Sequence, residues 1–290
     1  MRKWWWLSLA IATTIVAALL IPRALPPRST ATLPTSAPTV QAAIQYQRRV
    51  LPTSIVHTLV IPNRYLVMPA IATTVSTIKE FAQQSGAIAV LNAGFFDPKN
   101  QQTTSYITLK GKLVADPRQN ERLMGNPDLA NYLDKILDRS EFRQYRCKNT
   151  VRYDIARHSA PVPSDCQMEH SLGAGPQLLP KSTAESEGFV DAAVGRDALG
   201  SQAANARSAI GLTRDGLVIW LMAAQTNDPA SGLSLPEVAD LLRSLGVEKA
   251  LNLDGGSSAS LFFQGQAVYG KVNQAGDRVQ RSVKSVLLVK

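Results

Sequence analysis

The alternation of apolar and polar positions divides this chain into three stretches. Met1, Arg2 and Lys3 precede an unbroken, largely apolar run from Trp4 to Ile21, which Pro22 and Arg23 close. Positive charge ahead of an apolar run is the order of an export signal. The run lies near the lower limit of the roughly 17 to 25 residues that cross a bilayer. It reads as a cleaved signal peptide or as a retained single-span anchor, and the lack of a small-x-small site after Ile21 favours the anchor. Arg2 and Lys3 keep the N-terminus in the cytoplasm, which puts everything beyond Ile21 on the periplasmic or extracellular face. Residues 22–45 are rich in Pro, Ser, Thr and Ala without a hydrophobic period, and read as a spacer. With no internal repeat and no second linker, residues 46–290 are expected to form one domain.

Within that domain, short β-prone runs at 54–61 and 65–70 flank a Pro-Asn turn. Ile78, Phe81 and Ala82 recur at helical spacing within 74–84, and Gly86 sits where a helix would stop. The apolar run 87–91 suits a buried strand that delivers the chain to Asn92. Residues 106–109 and 112–115 read as a hairpin about Lys110-Gly111, and Leu129, Leu133, Ile136 and Leu137 mark a helix. A polar, cysteine-bearing insertion is expected from there to about His170. Arg214-Asp215-Gly216 turns a hairpin of 209–212 and 217–223. Ser234 and Glu237 form a capping box for a helix over 234–245 that Gly246 stops. Strands at 250–253, 259–263 and 283–289 complete the pattern. Hairpins with occasional helices predict an α+β domain with a mixed, largely antiparallel sheet, preceded by the N-terminal hydrophobic helix.

Charge changes this picture little. Lys and Arg number 31 against 22 Asp and Glu, a net charge of +9. No basic run is interleaved with aromatics, so nucleic acid is not an expected partner. Outside the membrane, a basic surface suits an anionic envelope polymer or a phosphate-bearing substrate. Cys147 and Cys166 are the only cysteines. In an exported chain the default is one disulfide between them, closing a loop peripheral to the site. A metal site is disfavoured, because the spacing is not CxxC and His158 and His170 stand singly in a polar stretch.

Candidate chemistry falls in four clusters at strand ends. Asn92-Ala93-Gly94-Phe95-Phe96-Asp97 sets an amide and a carboxylate around a glycine, as a pocket or as a tight turn with two core phenylalanines. Gly173-Ala174-Gly175-Pro176 opens space for a sugar ring or frees N–H groups for an anion, or is a plain turn. Arg207, followed by Ser208, stands at the mouth of an apolar strand, as a phosphodiester clamp or as a surface arginine. Asn252-Leu253-Asp254-Gly255-Gly256-Ser257-Ser258 ends a buried strand in a carboxylate, two glycines and two hydroxyls. It reads as a site in which Asp254 is acid/base or nucleophile, or as an Asp-Gly turn.

NAGFF, GAGPQLL, ARSAIG and NLDGGSS, in this order and with the closing Arg281-Ser282-Val283, resemble the phosphodiester glycosidase family. These are the bacterial relatives of the N-acetylglucosamine-1-phosphodiester α-N-acetylglucosaminidase. The resemblance spans residues 56–289. It implies hydrolysis between a sugar's anomeric carbon and a phosphodiester, with no cofactor and no metal. It implies Asp254 on the sugar side, Arg207 on the phosphate side and Asn92 orienting hydroxyls or water. Gly94, Phe95, Phe96, Asp97, Gly173, Gly175, Ser208, Asn252, Gly255, Gly256, Ser257 and Ser258 would line the substrate. Ala93 and Ala174 stand where relatives often have glycine, and are expected to narrow the pocket. Two rival readings stay open. One is a metal-dependent phosphodiesterase with Asp97, Asp254 and Asn92 as ligands. The other is a non-catalytic module binding an anionic polysaccharide during exopolysaccharide synthesis or export.

Overall fold

The computed structural model describes residues 43–290, so the apolar segment 4–21 and almost all of the spacer fall outside the described residues. Residues 41–290 form one compact unit. In chain order its elements are β1 (Gln45–Val50), β2 (Ile55–Ile61), β3 (Val67–Ser76), α1 (Ile78–Ser85), β4 (Ala89–Asn92), β5 (Ile107–Leu109), β6 (Lys112–Ala115), α2 (Glu121–Met124) and α3 (Leu133–Leu137). There follow β7 (Ser140–Cys147), β8 (Thr150–Arg157), β9 (Cys166–Gly173), β10 (Gln177–Leu179), the two-residue strands β11 (Val190–Asp191) and β12 (Arg196–Asp197), β13 (Arg207–Thr213) and β14 (Val218–Ala224). The chain closes with α4 (Leu235–Ser244), β15 (Val247–Asn252), β16 (Ser260–Phe263), β17 (Gln266–Tyr269) and β18 (Val283–Val289).

The expected single mixed sheet is instead three separate sheets, in the orders β1-β2-β14-β13-β15-β10, β17-β16-β4-β18-β3 and β6-β5-β9-β7-β8, with β11-β12 as a small ribbon. Every pairing among the named strands is antiparallel. The three sheets share one core, to which the first contributes Leu59, Trp220 and Leu251, the second Leu91, Leu261 and Leu287, and the third Ile107, Phe142 and Leu172. Strand alternation sends the neighbouring residues outward, where a helix covers them. Val90, Val286 and Leu288 pack under Ile78 and Phe81 of α1. Ala209, Ile219 and Leu221 pack under Val238 and Leu242 of α4. Strands buried on both faces read as continuous apolar runs, which is why 87–91, 217–223 and 283–289 stood out in the sequence.

Both helices with capping signals start where those signals stand. Thr77 and Glu80 form a capping box on α1, and Gly86, at φ 63°, closes it. Ser234 and Glu237 do the same for α4. The predicted start of the first helix was early, because β3 continues through Ser76 in the register that pairs it with β18. The helix expected around Leu129–Leu137 divides into a 3-10 segment, Pro127–Tyr132, and α3.

The cysteine-bearing insertion is corrected more substantially. Residues 140–173 form the antiparallel set β7, β8 and β9, whose Phe142, Ile155 and Leu172 belong to the common core. Glu141 and Arg143 lie on the face opposite Phe142 and are buried too, 1% exposed and paired at 3.0 Å, so β7 is buried on both faces but carries charge on one of them and does not read as a continuous apolar run. The disulfide does join Cys147 to Cys166, which are register partners on β7 and β9. Gly173 lies seven residues farther along β9, about 23 Å at the usual strand rise. No helix among the described residues is long and apolar enough to cross a membrane.

Candidate active site

Four strand ends meet at the site. Asn92 closes β4 and is fully buried. Its Nδ2 donates to the Asp254 carbonyl at 2.6 Å, and its Oδ1 accepts from the Ser208 hydroxyl at 2.6 Å and the Ser260 amide at 3.0 Å. One amide side chain thereby ties β4 of the second sheet to β13 of the first and to both ends of the 254–260 turn. The backbone repeats the connection, since the Asp254 amide donates to Ala93 O at 2.8 Å and Leu253 N to Ser208 O at 2.9 Å. The GAGP segment joins through Asn252, whose Nδ2 donates to Gly175 O at 2.8 Å while Gly175 N donates to Asn252 O at 3.0 Å. All four predicted clusters are therefore brought together.

Within that assembly the predicted residues separate into a buried frame and a partly open surface. Asn92, Gly94, Gly173, Gly175, Arg207, Ser208, Asn252 and Ser258 are buried. Phe95, Phe96, Asp254, Gly255, Gly256 and Ser257 are partly open. The buried glycines serve close packing: a Cβ on Gly94 would meet Gly173 O at 3.0 Å, and one on Gly173 would meet the Ser105 Cβ at 2.9 Å. Gly175 has φ +117° and a Cβ there would collide with a Glu187 carboxylate oxygen. Ala93 and Ala174 are 1% and 0% exposed members of the common core. Their methyl groups fill the interior, so they do not narrow the pocket.

Asp254 stands at the floor of the open part. Desolvation pushes its carboxyl from 3.8 up to about 6, against the opposing pull of the Ser258 hydroxyl, the Arg281 charge and the Gly255 amide. A carboxyl that is solvent-touched at one edge yet surrounded by protein is poised to exchange a proton near neutrality. Beside it, Arg281 Nη1 donates to the Ser257 hydroxyl at 2.8 Å, and the guanidinium lies 5.4 Å from the centre of the Phe96 ring. Arg281 is partly open, and its other N–H groups meet no acceptor among the described residues. In the sequence Arg281 stood out only as the first residue of the closing Arg281-Ser282-Val283 of the family pattern, with no role attached to it.

Two expectations are corrected. Arg207 is 3% exposed, and its guanidinium donates to Leu233 O at 3.0 Å, Leu199 O at 3.1 Å, Gly200 O at 2.7 Å and Ala203 O at 2.8 Å. With four carbonyls taking its donors, it fastens the loops before β13 and α4 and has no fork left for a phosphate. Asp97 accepts from Arg122 Nε at 2.7 Å and from the Lys99 amide at 2.8 Å. Desolvation is outweighed there by those two donors, and the carboxyl sits below the usual range. Asp97 staples a turn. The rival metal set loses its geometry as well, because Asn92 Oδ1 is already taken by two donors. Among the described residues no group of three or more His, Cys, Asp or Glu is arranged to hold a metal ion. A pocket of about 520 Å³ between β10 and α4, lined by Leu178, Pro180, Leu235 and Pro236, contains none of the predicted residues.

Residues 85–290 match the phosphodiester glycosidase family model, and the chain belongs to that family. None of the curated proteins matches it. Among solved structures, a hypothetical protein from Synechocystis superposes with a TM-score of 0.55 at 19% identity, over 85% of this chain and 62% of that one. This chain therefore spans less than two thirds of that relative. The zebrafish N-acetylglucosamine-1-phosphodiester α-N-acetylglucosaminidase catalytic domain, auto-inhibited by its pro-peptide, superposes with a TM-score of 0.61 at 18% identity, over 88% of this chain and 84% of that one. At such identities the likeness establishes a shared fold.

Proposed function

We propose that this domain is a hydrolase cleaving the bond between a sugar's anomeric carbon and a phosphodiester, in glycans of the envelope or extracellular space. The observation that carries the reading is the Asp254 carboxyl, raised to about 6 by burial and flanked by the Arg281 guanidinium. A phosphate diester leaves readily, so the demand for a general acid is low. What remains is to stabilise an oxocarbenium-like carbon and to hold the phosphate charge. Asp254, ionised above about pH 6, serves the carbon as nucleophile or as base for water. Arg281 replaces Arg207 as the phosphate partner, because its free N–H groups lie beside Ser257 at the open surface. Asn92 is a positioning residue that sets the Asp254 backbone. Phe95 and Phe96 offer apolar faces to a sugar ring.

The Cys147–Cys166 disulfide suits an oxidising compartment. Together with the charged and apolar order of residues 1–21, it supports export, with membrane attachment through 4–21 if that segment is retained. The test is hydrolysis of chromogenic sugar-1-phosphodiesters by Asp254→Asn. This change keeps size and removes charge, so turnover is expected to fall by about a hundredfold or more in a folded protein. A folded Asp254→Asn protein with near-normal turnover overturns the proposal.

A further inference from the structure

Two further guanidinium groups, those of Arg139 and Arg196, gather around Gly188-Phe189, next to Phe95. Arg139 stacks on the Phe189 ring at 3.6 Å from its centre, and that ring is 5.7 Å from the ring of Phe95. Arg196 stacks on Tyr132 at 4.5 Å. Each arginine has only its Nε tied down, Arg139 to Glu187 O at 3.1 Å and Arg196 to the next carbonyl, Gly188 O, at 3.3 Å. Among the described residues, neither arginine forms an ion pair, and neither has an acceptor on its Nη groups.

The carboxylates that could neutralise them are committed elsewhere. Glu187 accepts from the Ser140 hydroxyl at 2.6 Å, the Ser140 amide at 3.2 Å and the Thr183 hydroxyl. Asp191, the register partner of Arg196 on the ribbon, accepts from the Tyr132 hydroxyl at 2.9 Å. Burial pushes the Arg139 guanidinium down to about 9, with Glu187 opposing the shift and Arg196 adding to it. Two like charges anchored on the adjacent Glu187 and Gly188 carbonyls and stacked on aromatic faces, with their Nη groups unoccupied, cost free energy that an oxyanion would recover.

We propose that Arg139 and Arg196 form a second anion subsite that takes a phosphate group, so that the substrate carries an anion besides the scissile phosphodiester. Phosphate fits better than carboxylate because its several oxygens accept from two forks at once. As a statement about substrate it rests on the hydrolase reading above; as a statement about phosphate binding it stands alone.

The test titrates inorganic phosphate into the full-length protein by calorimetry. Arg281→Gln is expected to retain binding, and adding Arg196→Gln to it should weaken that binding by about tenfold or more. Equal affinity in the single and double variants overturns the subsite. Arg196 lies on the surface ribbon, so this comparison holds even where Arg139→Gln fails to fold. A second arm compares sugar-1-phosphodiesters with and without a further phosphate. The doubly charged substrate is expected to win by about tenfold in kcat/KM, and the ratio should fall toward one in Arg196→Gln. A wild-type protein that hydrolyses both equally well overturns the assignment to substrate. A protein inert to both leaves the titration to decide the subsite while removing the hydrolase reading.

Discussion

Two faces of one strand end carry arginines with opposite fates. Arg207 opens β13 and turns toward α4, where four carbonyls receive its donors and solvent does not reach it. On the other face, Ser208 points through Asn92 to the Asp254 turn, over which Arg281 makes one hydrogen bond and keeps the rest of its fork open. Both arginines belong to motifs of the family pattern, and both lie near the same turn, since a Cβ on Gly255 would be 3.7 Å from Arg207 Cδ. What separates framework from chemistry is the state of the hydrogen-bonding ledger. A buried charge with four of its five donors satisfied internally has been used for stability, and one left largely unsatisfied at an open surface is available to a ligand.

The comparison breaks most readily at Arg207. Replacing it with Met leaves four carbonyls without their donor, and hydrogen bonds to charged groups contribute more than neutral ones. A loss of about 3 kcal/mol or more in unfolding free energy is expected, read by chemical denaturation. Activity should fall equally on a sugar phosphodiester and on an aryl glycoside without phosphate. A stable Arg207→Met protein that loses only the phosphodiester reaction would return Arg207 to the phosphate and invalidate the division of faces.

That division explains what could and could not be read in the chain. Strands buried on both faces, and the capping box of α4, left local marks, so β4, β14, β18 and α4 were legible near their true limits, while α1 was legible in its apolar spacing and its stop at Gly86 but not in its start. The four clusters were legible as a set, because each pairs glycine with polar groups at a strand end. Their roles were not. Whether a guanidinium faces carbonyls or solvent depends on loops at 199–203 and 233 that meet it only in three dimensions. β1 is exposed along its whole length and carries no apolar alternation, so nothing in the sequence marked it as a strand. β7 was missed because it is buried on both faces yet carries the Glu141–Arg143 pair on one of them, which breaks the continuous apolar run.

A second prediction concerns the pH dependence of the open face. Asp254 titrates at about 6 in the folded protein against 3.8 unfolded, so folding favours its protonated form. The stabilisation is fully present below about pH 3.8 and is lost as pH rises through about 6. By proton linkage, the carboxylate costs up to about 3 kcal/mol at neutral pH. Asp254→Asn is therefore expected to be more stable than wild type at pH 7.5, with the gap shrinking toward pH 4, as measured by thermal unfolding across pH. In the wild type, kcat/KM should rise with pH through about 6, the limb on which Asp254 ionises. An Asp254→Asn protein with no stability gain at neutral pH would mean that the carboxyl is better solvated than its enclosure implies.

The finest test of the comparison is Arg281→Gln. The side chain is partly open and makes one hydrogen bond, to Ser257, so folding should be little affected and thermal stability should stay close to wild type. Its effect should fall on the ligand. Losing a charge-assisted fork to a phosphate oxygen is worth about 2 kcal/mol, roughly a thirtyfold rise in KM for a sugar-1-phosphodiester. Because Arg281 also lowers the Asp254 carboxyl through its charge, the variant should move the acid limb of the pH profile upward as well. Arg281→Lys separates the two effects: it keeps the charge, and with it the position of the limb, but loses the planar fork and with it part of the affinity. If both variants raise KM equally for a substrate without phosphate, Arg281 only supports Ser257 and Phe96.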